Sequence, residues 1–280
     1  MSRRLLIILG PTAVGKTDYS ISKALEYGSP VISCDSRQIF MNMSIGTAVK
    51  HYFIQTVPVT QAYTAGDYEL DAVALTERLF EEGHETLVMT GGSMFYIDAV
   101  CNGLDNLPDG DPDLRAELWK RLGEEGVETL AEELRSKDPL TYSQIDIRNS
   151  QRVIRALEVC IVSGRPFSSF KTGGRRSRSF QIEKVGLTRP REELYSRIDR
   201  RVLNMMDEGL VEEARSLLPY RNCQALQTVG YKEVFEYLDN KIPLEEAVRL
   251  IQRNTRHYAK KQLTWWRRDP DIKWIDVSGR

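Results

Sequence analysis

The octapeptide Gly10-Pro11-Thr12-Ala13-Val14-Gly15-Lys16-Thr17 fits G-x-x-x-x-G-K-[ST] without a mismatch. Its glycines allow backbone N–H groups to converge on phosphate oxygens, and a helix starting there adds partial positive charge. Lys16 would reach the outer phosphate, and the Thr17 hydroxyl would hold Mg²⁺. The bland alternative is a strand–turn–helix with a chance Gly-Lys-Thr. The context speaks against it: Leu5-Leu6-Ile7-Ile8-Leu9 reads as a buried strand, and Asp18 to Leu25 as the start of a helix. The motif implies a bound polyphosphate, but not which one or what becomes of it.

Further polar groups fall where ligands of open α/β sheets sit, beyond the carboxyl ends of strands. Val31-Ile32-Ser33-Cys34 is a short apolar run ending in Asp35, with Ser36-Arg37-Gln38-Ile39-Phe40 at the same rim. Asp35 lies near the phosphate loop if these strands are parallel neighbours; otherwise it caps a turn. Gly91-Gly92-Ser93 follows the apolar run 85–90, and fits either a close backbone approach to ligand or tight packing. Basic residues gather in three islands. A helix over 150–163 places Arg152 and Arg155, with Arg148 just before it, three or four residues apart, so the three share a face suited to phosphodiesters. The alternative is a solvated face bridged to Glu158. Lys171 to Arg178 forms a basic, glycine-containing loop. A helix over 244–266 carries Arg249, Arg253, Arg256, Lys260 and Lys261, followed by Arg267 and Arg268, with Tyr258, Trp265 and Trp266 interleaved. Cations beside aromatics suit an unstacked nucleobase and its backbone, although some of these rings belong to a core.

The remaining elements must position these groups. A chain of 280 residues with 41% hydrophobic and 28% charged residues has the composition of a soluble globular protein, large enough for one large or two modest domains. No apolar run approaches the ~20 residues of a membrane span. The first strand leaves no room for a signal peptide ahead of the loop, and Cys34, Cys101, Cys160 and Cys223 are scattered. Both point to a cytoplasmic protein with reduced thiols and no structural zinc. The net charge of −1 argues weakly against nucleic acid, but local islands count for more than the total. Strands are predicted at 5–9, 31–35, 85–90 and 182–187. Helices are predicted at 68–83, 94–101, 114–122, 127–137, 150–163, 191–208, 211–218, 231–238 and 244–266, and 41–66 reads as irregular. The strand pattern lapses from 114 to about 180. The expected fold is therefore α/β: a P-loop NTPase-like parallel sheet flanked by helices (1–113 and 182–280), with an inserted all-helical domain (114–181).

Several stretches together resemble the tRNA dimethylallyltransferases: the glycine loop, Asp35 to Phe40, Ile45-Gly46-Thr47-Ala48, Gly91 to Tyr96, Gly103-Leu104, Gln151 to Glu158, Val229 to Glu233, and Thr255-Arg256 through Arg267. The resemblance runs nearly end to end. It departs at a short segment between Ala48 and His51, at Ser93 in place of the family's threonine, and at Lys261 where arginine is common. The eukaryotic zinc finger is lacking, so the likeness is to bacterial members. It implies that the loop holds the diphosphate of dimethylallyl diphosphate, with Mg²⁺ at Thr17 and Lys16 and Arg201 on the diphosphate. Asp35 would be the general base at the N6 amine of the adenine 3′-adjacent to the anticodon, in tRNAs reading UNN codons. The product would be N6-(dimethylallyl)adenosine. It further places at the tRNA anticodon stem-loop Asp35, Ser36, Arg37, Gln38, Ser93, Arg115, Gln151, Arg152, Val153, Ile154, Arg155, Gln227, Thr228, Val229, Gly230, Tyr231, Lys232, Lys260, Lys261, Gln262, Leu263, Thr264, Trp265, Trp266 and Arg267. The helical insertion would grip the stem-loop, and the protein would act as a monomer. Alternatives from the same residues are a small-molecule kinase with the 171–178 loop as its lid, a prenyltransferase acting on free adenine nucleotide, and a non-catalytic RNA-binding switch.

Overall fold

A computed structural model describes residues 3–41, 51–171 and 176–279. The chain divides into two compact units, 1–102 with 177–280, and 103–176. In chain order the first unit contributes β1 (Arg4–Leu9), α1 (Lys16–Tyr27), β2 (Val31–Ser33), β3 (His51–Tyr52), α2 (Ala65–Glu81), β4 (Thr86–Gly91) and α3 (Met94–Asn102). The second unit holds α4 (Pro112–Lys137), α5 (Pro139–Gln144) and α6 (Ser150–Ser163). The chain then returns to the first with β5 (Gln181–Thr188), α7 (Arg191–Asp207), α8 (Leu210–Ser216), α9 (Tyr231–Leu238), α10 (Leu244–Trp266) and β6 (Ile272–Asp276).

The strands form one parallel sheet in the order β3-β2-β4-β1-β5-β6. The continuous apolar run of β1 is explained by its central place. Leu5, Ile7 and Leu9 face a core built with Tyr68, Leu79, Ile97 and Trp266, whereas Leu6 and Ile8 face Val14, Ala24, Ile198 and Ala259. Both faces are covered, so no polar alternation is tolerated. Register aligns Leu9 with Gly91 on one side and Gly186 on the other. The turns after β1 and β4 therefore leave the sheet at the same level.

The condition set above, that the strand before Asp35 neighbours β1, is not met: β2 is parallel to β1 but β4 lies between them. The sequence order of strands does not reveal such an insertion. Two strands were not anticipated. β3 is only two residues long, and β6 is an edge strand with one buried residue, so neither carries a strong apolar signal. Helix α2 starts three residues earlier than expected. Thr64 Oγ1 accepts from Asp67 N at 3.2 Å, and Asp67 accepts from Thr64 N at 2.7 Å, a capping box with Asp in place of Glu.

In the second unit the two helices expected at 114–122 and 127–137 form one run, α4, broken at Gly126 (φ 83°, ψ 165°). Helix α5 was not anticipated. It begins where Asp138 accepts from Thr141 N at 3.0 Å. Leu118, Leu130, Leu134, Val153, Ile154 and Leu157 form the unit's own core. The unit extends from 103 to 176, beginning earlier than 114 because the linker after α3 packs with it. No helix among the described residues is long and apolar enough to cross a membrane, and all four cysteines are free thiols.

Candidate active site

The loop between β1 and α1 is anchored through its carbonyls. Lys16 Nζ donates to Gly10 O and Pro11 O, each at 2.9 Å. Arg197 Nε donates to Ala13 O at 2.9 Å, and Arg189 Nε to Val14 O at 2.8 Å. A peptide held by its carbonyl turns its N–H the opposite way, which is the polarity an anion requires. Ala13 has φ 63°, a left-handed conformation that a residue with a Cβ adopts only under constraint; the Arg197 bond supplies one. Gly15 (φ 104°) caps α1 without a side chain, leaving the first turn of that helix open.

Charges converge on the ammonium of Lys16. Burial among loop atoms pushes its pKa down to about 8; the carboxylate of Asp35 raises it and the guanidinium of Arg201 lowers it. Arg201 is exposed on α7, four residues after Arg197, so one helix face carries both the loop anchor and the second cation. Arg189 and Arg197 were not singled out from sequence. Their signals were present: Arg189 directly follows β5 at the sheet's carboxyl edge, and Arg197 is one turn from Arg201.

Asp35 lies just past β2. Its Oδ1 accepts from Arg37 N at 2.9 Å, and its second oxygen makes no hydrogen bond among the described residues. Ser93 Oγ accepts from Ser36 N at 2.7 Å and donates to Ser36 Oγ at 2.9 Å, tying the turn after β4 to this rim. Arg37 donates to Ala225 O at 3.0 Å and so draws the segment before Gln227 to the same edge. Close packing requires glycine at both 91 and 92. A Cβ at 91 would stand 2.4 Å from the Cys34 carbonyl, and one at 92 would stand 2.6 Å from Gln262 Nε2.

The residues expected at an RNA divide by exposure. On α10, Lys260, Lys261 and Thr264 are exposed, as are Arg267 after it, Lys232 on α9 and Gln227 before it. Val229 is half-exposed, and Thr228 less so. Trp266 (2% exposed) is core, Tyr231 and Gly230 are buried, and Leu263 packs against the core around Ile198. Trp265 Nε1 donates to Asp98 at 2.9 Å, and its ring meets the exposed Phe95 edge-on. Gln262 is buried and bonded to the loop, so its side chain does not face solvent. Arg249 pairs with Glu246, and Arg256 with Asp199.

In the second unit, Gln151 and Arg152 are exposed on α6, whereas Val153 and Ile154 are core side chains and offer no surface. Arg115 and Arg155 both bind the carboxylate of Glu158, at 2.8 and 2.7 Å. Glu158 has no exposed side-chain surface, and the two cations hold its pKa low against burial. The three-arginine face expected at 148–155 is thus reduced: Arg155 serves Glu158, and Arg148 pairs with Asp146 at 3.1 Å. Residues 45–48 and 172–175 lie outside the described residues. Arg178, which the kinase alternative would place in a lid, is nearly buried. It binds Glu69 at 2.8 Å and donates to the carbonyls of Ala99 and Val100 near the end of α3.

A parallel sheet covered on both faces, with a glycine phosphate loop at the carboxyl end of a central strand, defines an α/β protein of the P-loop kind. The IPP transferase family model matches residues 38–269, and the chain belongs to this family. A tRNA dimethylallyltransferase 2 of Porphyromonas gingivalis is 51% identical over 280 residues, covering 97% of this chain and 93% of the relative. The fold is similar to that of the full-length tRNA isopentenylpyrophosphate transferase from Bacillus halodurans, with TM-score 0.70 and 36% identity, covering 98% of this chain and 90% of that one. A eukaryotic dimethylallyltransferase acting on tRNA shares the fold with TM-score 0.82 at 23% identity, over 99% of this chain and 75% of that one.

Proposed function

We propose that this chain transfers a dimethylallyl group from dimethylallyl diphosphate to N6 of the adenine 3′-adjacent to the anticodon, in tRNAs reading UNN codons. The observation that carries the proposal is the glycine loop whose carbonyls are held by Lys16, Arg189 and Arg197, in a chain that matches the IPP transferase family over residues 38–269. The allylic C–O bond breaks, an N6–C bond forms, the N6 proton passes to Asp35, and diphosphate leaves. Negative charge grows on the departing diphosphate, where the loop amides, Lys16 and Arg201 stabilise it. The free oxygen of Asp35 is available as general base. A weakly nucleophilic aromatic amine also requires positioning, which the Ser36–Ser93 bond gives the rim around Asp35.

Among the described residues no group of three His, Cys, Asp or Glu side chains could hold a metal. The exposed Thr17 at the start of α1 would hold Mg²⁺, an ion that takes few protein ligands when phosphates supply the rest. When bound it would neutralise charge on the diphosphate. The exposed Gln151 and Arg152, Lys232, and Lys260, Lys261 and Arg267 are our candidates for the anticodon stem-loop. We further place the reaction in the cytoplasm. The kinase alternative is weakened because Arg178 is committed to Glu69 and to the α3 carbonyls.

The deciding experiment offers the purified protein radiolabelled dimethylallyl diphosphate with tRNA, AMP or ATP. Label is expected in tRNA alone. Label in AMP would replace the acceptor, and γ-phosphoryl transfer from ATP would replace the reaction.

A further inference from the structure

Gln262 uses both ends of its side chain. It lies on α10 and is 1% exposed. Its Oε1 accepts from Thr12 N at 3.0 Å, and its Nε2 donates to Gly92 O at 2.8 Å. The partners fix the amide's orientation, since an N–H needs an acceptor and a carbonyl needs a donor. Tyr258, one turn earlier, donates to the same Gly92 carbonyl at 3.3 Å. Gly92 is what admits the contact, because a Cβ there would stand 2.6 Å from Nε2. The two residues before Gln262, Lys260 and Lys261, are exposed and have no ion-pair partner among the described residues.

We propose that Gln262 is a positioning residue that couples the acceptor-binding helix α10 to the phosphate loop, through a Thr12–Gln262–Gly92 bridge. The inference rests on the reading of α10 as a helix that binds the acceptor. Thr12 lies in the part of the loop where an amide either serves the anion or is held elsewhere, and Gln262 sets which. Trp266, one turn on, is locked in the core, so α10 cannot shift at Lys260 without moving Gln262. Acceptor binding on the lysines and diphosphate binding in the loop then alter each other, and the coupling is reciprocal.

The test titrates inorganic pyrophosphate, with and without an anticodon stem-loop RNA, into the unmutated protein, Gln262→Met and Gln262→Glu. The stem-loop is expected to change pyrophosphate affinity in the unmutated protein. In Gln262→Met, pyrophosphate affinity shifts by about five- to tenfold, the size of one or two net hydrogen bonds, because the Thr12 amide and the loop it belongs to lose their partner. RNA affinity stays unchanged, and the coupling between the two ligands vanishes. Gln262→Glu gives a readout that mere packing would not move. A protonated glutamic acid has the same donor and acceptor as the amide, so its difference from the unmutated protein closes as pH falls. The titratable and charged groups around the bridge are Lys16 from α1, Asp35 and Arg37 after β2, Arg201 from α7 and Tyr258 from α10; burial pushes Tyr258 up to about 12. An ionised carboxylate at position 262 would raise the pKa of Lys16, so Gln262→Met, which adds no charge, is the reference for the titration of these groups. No coupling in the unmutated protein, unchanged pyrophosphate affinity in Gln262→Met, or an equal loss of RNA affinity would each overturn the proposal. If Gln262→Met does not fold, the low-pH recovery of Gln262→Glu decides alone. Failure of the protein to prenylate any tRNA would instead sink the proposed activity, while the pyrophosphate titrations would still report on Gln262.

Discussion

The lowered pKa of Lys16 gives the site a pH dependence that can be worked out in advance. Its ammonium titrates at about 8 in the folded protein, against an ordinary 10.5, with burial as the main cause. If only the charged form grips the diphosphate, affinity follows the protonated fraction. That fraction is about 0.91 at pH 7 and about 0.09 at pH 9, so the apparent KM for dimethylallyl diphosphate rises about tenfold between them. Other groups at the site do not compete in this window. Burial holds Cys34 well above its usual value and pushes Tyr96 and Tyr258 up to about 12. Stability moves the other way. Between about 8 and 10.5 the unfolded chain binds the proton that the folded chain has lost, so this group's contribution to folding improves as pH rises. This group therefore gives no cause for unfolding at pH 9, and a melting curve at each pH separates a fall in affinity from incipient unfolding. The assay is a KM series from pH 6.5 to 9.5 on the unmutated protein, Lys16→Gln and Lys16→Arg, with pyrophosphate titrations in parallel. Lys16→Gln should bind weakly at every pH without the bend. Lys16→Arg keeps its charge and should also lose the bend. A flat profile in the unmutated protein, or the same bend in Lys16→Gln, would refute the argument.

Asp35→Asn should lower the transfer rate by ~10²–10⁴-fold, the usual loss for a general base, with tRNA affinity nearly unchanged; near-normal turnover would remove Asp35 from that role. Arg152→Ala/Lys260→Ala should flatten the salt dependence of tRNA binding by roughly one unit of slope per lost phosphate contact. Loss should be uniform across tRNA sequences, with the KM for dimethylallyl diphosphate unaffected, and an unchanged slope would return both residues to ordinary surface charge. Glu158→Ala should destabilise the helical unit by ~1–3 kcal/mol, since the buried carboxylate accepts from the Asp111 amide at 3.1 Å and from Arg115 and Arg155, and hydrogen bonds to a charged group are worth about that much. Thermal unfolding measures this, and a stability equal to the parent's would mean the carboxylate is dispensable.

The fold was most legible where local and global signals agree. The run 5–9, the glycine loop and the helix after it are three consecutive signals, and each has one physical reading. The helices 150–163, 231–238 and 244–266 likewise follow from apolar periodicity and their bounding residues. The neighbour of β1 was not legible, because a parallel sheet joins strands through crossovers whose order no local pattern encodes. Strands β3 and β6 escaped for a different reason: short edge strands bury too little to leave an alternating pattern.

The candidate site shows a sharper version of the same limit. Counting bases along the chain treats every arginine and lysine as available, yet availability depends on where carboxylates from other elements fall. Arg115 and Arg155 spend their charge on one buried glutamate, Arg256 on Asp199 of a different helix, and Arg189 and Arg197 on the carbonyls of the phosphate loop. What remains exposed and without an ion-pair partner among the described residues includes Arg152, Lys232, Lys260, Lys261 and Arg267. The same reasoning reverses the role of Gln262. Set directly after two lysines on a basic helix, it reads as one more RNA contact, but the spacing that exposes Lys260 and Lys261 turns the next residue inward. There it meets an amide and a carbonyl from two sheet-edge turns, which joins the basic helix directly to the glycine loop and to the turn after β4.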